Sequence, residues 1–216
     1  MMKSMQKIAA MLLCVLTLCS CKDDGTPTLD SPTFPFMKVG NQWNYWLVTE
    51  EGQTEVSYKI ADKTKESYFK VLLQFVEAEF PPVEHFWYAD QTSFAMATDW
   101  PDSPLKLPML KKGCKVGDRW SFDVPASPDP DDLSGTLTYE IMAVNTSVDA
   151  AGTTYSDVYK IRHTATSHAE FYADYYISLS AGMIKMEGIG YVWIDGDEGG
   201  ELIYFPLEWR LKSKNF

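Results

Sequence analysis

The chain has 216 residues, with 30 acidic and 19 basic side chains, so its formal net charge at pH 7 is −11. This acidity repels nucleic-acid phosphates and argues against a nucleic-acid-binding protein. Apolar residues make up 45% of the chain, enough to bury a sizeable core.

The first 20 residues have the pattern of a secretory signal. Lys3 and Lys7 precede an apolar run from Ile8 to Leu18, which is too short to span a bilayer. The run ends in Leu18-Cys19-Ser20-Cys21, which resembles the lipobox of bacterial lipoproteins. The resemblance implies cleavage before Cys21 and lipidation of that residue. The alternatives are an ordinary secretory signal, or lipidation at Cys19, where the preceding Leu18 is bulkier than a lipobox favours.

Residues 21–33 are predicted to be a flexible tether, because glycine, prolines and polar groups leave little to bury. Lys22, Asp23 and Asp24 resemble the acidic signal that sends some Gram-negative lipoproteins to the outer face of the outer membrane; a solvated linker is the alternative. After removal of residues 1–20, 17 basic and 30 acidic residues remain, a net charge of −13. We therefore predict a lipid-anchored outer-membrane protein that faces the cell surface.

One motif occurs twice in the remaining chain. Lys38-Val39-Gly40-Asn41-Gln42-Trp43-Asn44-Tyr45 returns as Lys115-Val116-Gly117-Asp118-Arg119-Trp120-Ser121-Phe122, 77 residues later. Gly and Asn or Asp tolerate positive φ, so each copy predicts a turn that begins a strand. The Trp and the aromatic residue two positions on share one face of that strand and are predicted core residues, with a sugar-stacking platform as the alternative.

Period-2 alternation dominates the rest of the chain. We predict about twelve short strands, with separate strands at Gly182 to Met186 and Tyr191 to Ile194, and no helix after the signal. Residues 34–216 are predicted to form one all-β domain, an antiparallel sandwich or a strongly curved sheet approaching a half-barrel. Its two related halves are about 34–97 and 115–216, joined by a proline-containing connection.

The order of short motifs resembles a group of bacterial lipoproteins without an assigned biochemical function. The motifs are at Phe34 to Tyr45, Val116 to Trp120, Gly152 to Ile161 and Tyr175 to Lys185. The resemblance implies an extracytoplasmic β domain and transfers no catalytic residue. A more distant likeness is to half-barrel lipoprotein carriers whose curved sheet binds acyl chains.

Few residues have the spacing of a chemical site. His163 and His168 flank Thr164-Ala165-Thr166-Ser167; if those four residues form a hairpin loop, the two imidazoles face each other and Glu170 joins them as weak Zn²⁺ candidates. The alternative is a pair of solvated loop histidines.

The acidic turn at residues 195–200 only partly matches a Ca²⁺ loop. Cys114 lacks a partner in sequence, and its neighbours Lys112 and Lys115 would lower its pKa if it were exposed. No hydrolase elbow is present. We predict no cofactor, no metal and no enzymatic activity.

Aromatic residues suggest binding instead. The chain has seven Trp and twelve Tyr, more than a core of this size requires, and such side chains suit amphipathic contacts with glycans or proteins. Trp46, Trp87, Trp100 and Trp193 are the candidate contact residues. The first hypothesis is a non-enzymatic domain that binds a glycan, lipid or protein. The alternatives are a lipid or lipoprotein carrier or chaperone with an apolar cavity, and a hydrolase with an unrecognised site.

Overall fold

A computed structural model describes residues 34–65, 67–77, 81–96, 107–126, 133–194 and 201–216, with backbone only for 193, 194 and 201. The predicted signal, Cys21, Lys22, Asp23, Asp24 and the tether lie outside these residues. The described strands are β1 (Gln42–Thr49), β2 (Gly52–Lys65), β3 (Tyr68–Phe75), β4 (Val83–Ala89), β5 (Ser93–Ala95), β6 (Leu110–Lys111), β7 (Arg119–Val124), β8 (Gly135–Ala150), β9 (Thr153–Ala165), β10 (Tyr172–Ser178), β11 (Gly182–Ile194) and β12 (Glu201–Lys214).

All twelve strands belong to one antiparallel sheet, in the order β6-β5-β4-β3-β2-β1-β12-β11-β10-β9-β8-β7. The chain therefore starts in the middle of the sheet, meanders outward to β6, passes to the opposite end at β7 and meanders back until β12 pairs with β1. The predicted all-β class is confirmed, with a single curved sheet in place of a two-sheet sandwich. The described residues contain no helix long and apolar enough to cross a lipid bilayer.

The connection between β6 and β7 forces the sheet to curl. Lys111 ends β6 and Arg119 begins β7, so the chain between them can span at most about 30 Å. Twelve strands laid flat at about 4.8 Å spacing would put the outer two more than about 50 Å apart. The Trp120 indole N–H of β7 donates to the Pro108 carbonyl at 2.6 Å, next to β6. The two ends of the sheet are thus in contact.

The two copies of the repeated motif form the same turn. Asn41 N–H donates to Lys38 C=O, and Asp118 N–H donates to Lys115 C=O, both at 3.0 Å. The glycine at the third position of each turn has a positive φ, 92° at Gly40 and 87° at Gly117, which a glycine adopts without steric cost. The predicted strand-launching turns are therefore confirmed.

The same paired hydrogen bonds then fasten each turn to the following hairpin. Gly40 N–H donates to Ile60 C=O and Ile60 N–H to Asn41 C=O; Gly117 N–H donates to Ile141 C=O and Ile141 N–H to Asp118 C=O, all at 2.9 Å. The backbone of the second copy thus repeats the first.

The inner face of the sheet is filled with aromatic rings. Trp43 is fully buried and donates its indole N–H to Ala181 C=O at 2.7 Å. Tyr45 is also fully buried and donates its hydroxyl to Met183 C=O at 2.6 Å. These bonds satisfy the polar ends of two large side chains whose rings lie in the core. Four further rings pack in the core around Trp43. Phe34 and Phe36 precede β1, Trp87 belongs to β4 and Phe94 to β5.

One strand prediction is wrong. β11 runs without a break from Gly182 to Ile194, whereas the sequence pattern predicted two strands there. Gly188 and Gly190 interrupt the alternation in the sequence. At Gly190 the Leu207 side chain of β12 occupies the space that a Cβ would need. Gly190 therefore makes room for the neighbouring strand β12, and β11 continues through it.

We expect Trp43→Phe to lower the free energy of unfolding by about 1–3 kcal/mol, because the smaller ring leaves space in the core and Ala181 C=O loses its donor. Trp46→Phe is the matched control, three positions along the same strand and on the opposite face, and should change stability by less than about 1 kcal/mol. Urea denaturation of both variants measures the difference. Equal losses would contradict the assignment of the two faces.

Candidate functional site

Strand register builds a continuous row of charged and aromatic side chains on the outer face. In antiparallel pairs, directly opposite residues lie on the same face. The pairings across β9, β10, β11, β12, β1 and β2 place six residues side by side. In order they are Lys160, Tyr176, Lys185, Arg210, Trp46 and Glu55. A second row lies two residues further along the strands, on the same face. It consists of Arg162, Asp174, Glu187 and Glu208. With Tyr172 and Lys212, we name these two rows the outer belt.

Ion pairs form both within and between the two rows. The Arg162 guanidinium donates two hydrogen bonds to the Asp174 carboxylate, from Nε at 2.7 Å and from Nη2 at 2.8 Å. Lys185 Nζ lies 2.6 Å from Glu187 and 3.3 Å from Glu208. The belt extends to β2 through Lys212 Nζ, which lies 2.7 Å from the Glu55 carboxylate. Apart from Asp174, the side chains concerned are partly exposed, so the pairs made by Lys185 and Lys212 are expected to contribute little by themselves.

Asp174 is the most buried member of the outer belt, with 2% of its surface exposed. Burial by itself would raise the pKa of its carboxyl, but hydrogen bonds from Arg162 and Lys160 outweigh that effect and hold the pKa below its usual value. The carboxylate is therefore ionised at neutral pH and holds both cations in fixed positions.

Each aromatic ring of the belt lies beneath a cation. Lys212 Nζ is 4.2 Å from the centre of the Trp46 ring, and Arg162 Cζ is 5.0 Å from that of Tyr172. Lys160 and Lys185 flank Tyr176 at 5.1 and 5.4 Å. Flat apolar faces beside fixed hydrogen-bonding groups are the components of a glycan or protein contact surface. Trp46, a predicted contact residue, lies in this surface between Arg210 and Glu55.

The other predicted tryptophans have different places. Trp87 lies in the core, where its ring packs 5.7 Å from that of Trp43, so it is not exposed for contact with a partner. Trp100 lies outside the described residues. For Trp193 only the backbone is described, and it pairs with Leu202 in β12. The belt residues that surround Trp46 were missed in the sequence, since no spacing within one strand indicates which residues of other strands lie opposite.

The predicted grouping of His163, His168 and Glu170 is wrong in its geometry. β9 continues to Ala165 and β10 begins at Tyr172, so His163 pairs with Ala173 and not with His168. The His163 ring stacks on Tyr139 at 4.4 Å, whereas the His168 ring packs on Tyr191 at 4.1 Å. Glu170 is exposed. Over the described ranges no group of three or more His, Cys, Asp and Glu side chains could hold a metal ion.

Tyrosines from distant strands pack together on the inner face. Tyr58 and Tyr45 both pack on Trp209, with Tyr58 stacked at 5.6 Å. Burial raises the pKa of Tyr58 and Tyr139, and it raises that of Tyr175 to about 12. These phenols are therefore neutral at physiological pH and can serve as hydrogen-bonding groups only.

His163 is buried beside this tyrosine cluster, and its Nε2 has no hydrogen-bond partner among the described atoms. Burial lowers the pKa of His163 from its usual 6.5 to about 4. Burial likewise lowers the pKa of His85, whose Nε2 is also unpartnered within the described part of the chain. Both imidazoles are therefore neutral in the folded protein at pH 7.

No protein-family model matches the chain, and no curated protein matches it either. Among solved structures, the chain is similar to a crystal structure described as a "putative lipoprotein" from Parabacteroides distasonis ATCC 8503. The two chains are 13% identical, the match covers 86% of this chain and 99% of the other, and the TM-score is 0.44. At this level of similarity no residue role is transferred from that protein.

We expect His163 to make the folded protein less stable in acid. The unfolded chain binds a proton on this histidine near pH 6.5 but the folded protein only near pH 4, so the free energy of unfolding falls as the pH drops between these values. The loss attributable to His163 is on the order of 3 kcal/mol. In His163→Phe, which keeps a flat ring against Tyr139, that part of the pH dependence should disappear.

Urea denaturation of the wild type and His163→Phe at several values between pH 7 and 4.5 measures the effect. The acidic groups with lowered pKa lose their contribution only at lower pH, and the contribution of His85 remains in both proteins. Parallel pH profiles for the two proteins would contradict the assignment.

Proposed function

We propose that this chain is a lipid-anchored extracytoplasmic protein whose non-enzymatic β domain binds a glycan or protein partner through the outer belt. The observation that supports this proposal is the distribution of aromatic residues. Rings on the inner face pack against one another, whereas Trp46, Tyr172 and Tyr176 lie on the outer face among fixed charges. Such a surface offers a partner ring faces and hydrogen-bonding groups together.

The anchor is the sequence-based part of the proposal. The signal pattern of residues 1–20 and the small residue before Cys21 support lipidation of Cys21. Several acyl chains on one residue hold a protein durably at a membrane, since each buried methylene adds about 0.8 kcal/mol. With Lys22, Asp23 and Asp24 as an export signal, the domain would face outward from the outer membrane of a Gram-negative bacterium.

The carrier alternative requires an apolar interior large enough for an acyl chain. The inner face between β1, β2 and β12 instead holds the mutually packed rings of Tyr45, Tyr58 and Trp209. A lipid there would have to displace these rings and leave phenol hydroxyls against hydrocarbon, which costs free energy. The inner face therefore favours the binding protein over the carrier.

We expect Trp46→Ala to weaken binding at least about tenfold, which corresponds to about 1.4 kcal/mol, because the variant removes a large aromatic face from the belt. The measurement is binding of the purified protein to an immobilised panel of neutral and acidic oligosaccharides, with native mass spectrometry for co-purified fatty acids. Lys59→Ala, on the exposed surface of β2, is the control and should leave binding unchanged. A co-purified acyl chain together with unchanged binding by Trp46→Ala would support the carrier instead.

For the anchor, we expect Cys21→Ala to abolish incorporation of a fatty-acid analogue in growing cells, while Cys19→Ala leaves it intact. Labelled protein is detected by gel fluorescence after attachment of a dye to the analogue. The two cysteines are two positions apart, so the pair of variants distinguishes the lipidated residue directly. Label that persists in Cys21→Ala would exclude this residue as the anchor.

A further inference from the structure

The two copies of the launching turn share a backbone but differ in what covers them. At the first copy, Asn215, which follows β12, accepts from Gln42 N–H at 2.9 Å and donates from Nδ2 to Gly40 C=O at 3.1 Å. The Phe216 ring then packs on Trp43 at 5.2 Å. The C-terminal residues therefore seal this turn, and Trp43 has no exposed surface.

The second copy begins β7, which is an end strand of the sheet, so none of the described strands pairs with it on that side. Trp120 remains half-buried where its counterpart Trp43 is fully buried. In place of a covering strand there is a cleft of about 320 Å³. We name it the seam cleft, and its lining residues are Lys111, Lys112, Gly113, Cys114, Asp118, Arg119 and Trp120.

The seam cleft is positively charged in a strongly acidic protein. Lys111, Lys112 and Arg119 line it, and Lys115 lies beside it in the same turn. The single lining carboxylate, Asp118, already accepts the Lys115 backbone N–H at 2.8 Å. Glu140 lies opposite Arg119 across the pair of strands β7 and β8 and offsets part of its charge. Lys112 and Lys115 are the cations of the cleft that no described carboxylate pairs with.

The Trp120 ring is held in place at the cleft. Its indole N–H is bound to Pro108 C=O at 2.6 Å, and Lys111 Nζ lies 4.6 Å from the ring centre. Cys114 is half-buried, and burial raises the pKa of its thiol, so it adds no negative charge at neutral pH. The expected lowering of that pKa by neighbouring lysines applied to an exposed thiol, and Cys114 is half-buried. The cleft thus combines cations with one fixed aromatic ring.

We propose that the seam cleft binds a small anionic sugar, whose carboxylate, sulfate or phosphate group is held by Lys112 and Arg119 while its ring packs against Trp120. The volume is at the lower end of the range for small-molecule sites, about 300–1,000 Å³. The cations of the cleft provide attraction for the anion, and an aromatic face suits a sugar ring. The seam cleft shares no residue with the outer belt, so the two sites are separate and do not depend on each other.

The test is isothermal titration calorimetry of the full chain with glucose 6-phosphate, glucose 6-sulfate, glucuronate, glucose and inorganic phosphate. We expect at least one anionic sugar to bind at least about tenfold more tightly than glucose and than inorganic phosphate. Arg119→Gln, which introduces the residue present at the equivalent position of the first copy (Gln42), and Lys112→Glu should each weaken that binding about tenfold or more. Both side chains are exposed, so the thermal midpoint should not change.

Lys38→Glu is the matched control. Lys38 occupies the same turn position in the first copy as Lys115 does in the second, and it is exposed. The variant changes the net charge as Lys112→Glu does, but Lys38 does not line the seam cleft, so the variant should alter binding less than about twofold. Absence of binding by every anionic sugar, or an equal loss in Lys38→Glu, would overturn the site. Equal affinity for inorganic phosphate and glucose 6-phosphate would overturn the role of the Trp120 ring.

Discussion

The short connection between β6 and β7 is the constraint on which the rest of this structure depends. Seven residues, 112–118, join strands at opposite ends of a twelve-stranded sheet. Because the connection is much shorter than the flat width of the sheet, the sheet must curl until Trp120 reaches Pro108. Curling gives the sheet an inner face that is shielded from water and an outer face that is not. The two faces therefore need different side chains.

The division between the faces decides where chemistry is possible. On the inner face, burial keeps Tyr58 and Tyr139 un-ionised and His163 neutral, so these groups act as packing elements with polar ends. On the outer face, the hydrogen bonds of Asp174 with Arg162 and Lys160 maintain charge in a well-ordered arrangement. The proposed recognition of a partner through fixed charges and ring faces therefore depends on the outer surface.

The repeated turn shows how one local structure acquires two environments. Gly40 and Gly117 have nearly the same φ, and both turns make the same bonds to the next hairpin. The first copy begins a central strand and is sealed by Asn215 and Phe216. The second begins an end strand and leaves a charged cleft. Position in the sheet, and not the motif, determines which copy is exposed.

Much of the fold could be read from local patterns in the sequence. Apolar residues alternate with the period of a strand, so the all-β class and the burial of Trp43 and Tyr45 were predictable. Val-Gly-Asn and Val-Gly-Asp tolerate the φ values of a turn, so the strand-launching turns were predictable too. These properties depend on residues only a few positions apart. The glycines of β11 misled the same reasoning, because they accommodate neighbouring strands: the backbone of β10 at Gly188 and the Leu207 side chain of β12 at Gly190.

Only the tertiary structure decided which residues form the candidate site. Trp46, Arg210 and Lys185 lie in neighbouring strands, yet the first is separated from the other two by more than a hundred residues in the chain. Trp87 has the same residue type as Trp46 but faces the core. His163 and His168 are close in sequence but pack on different rings. Strand register and sheet curvature are long-range properties, and local spacing carries no information about them.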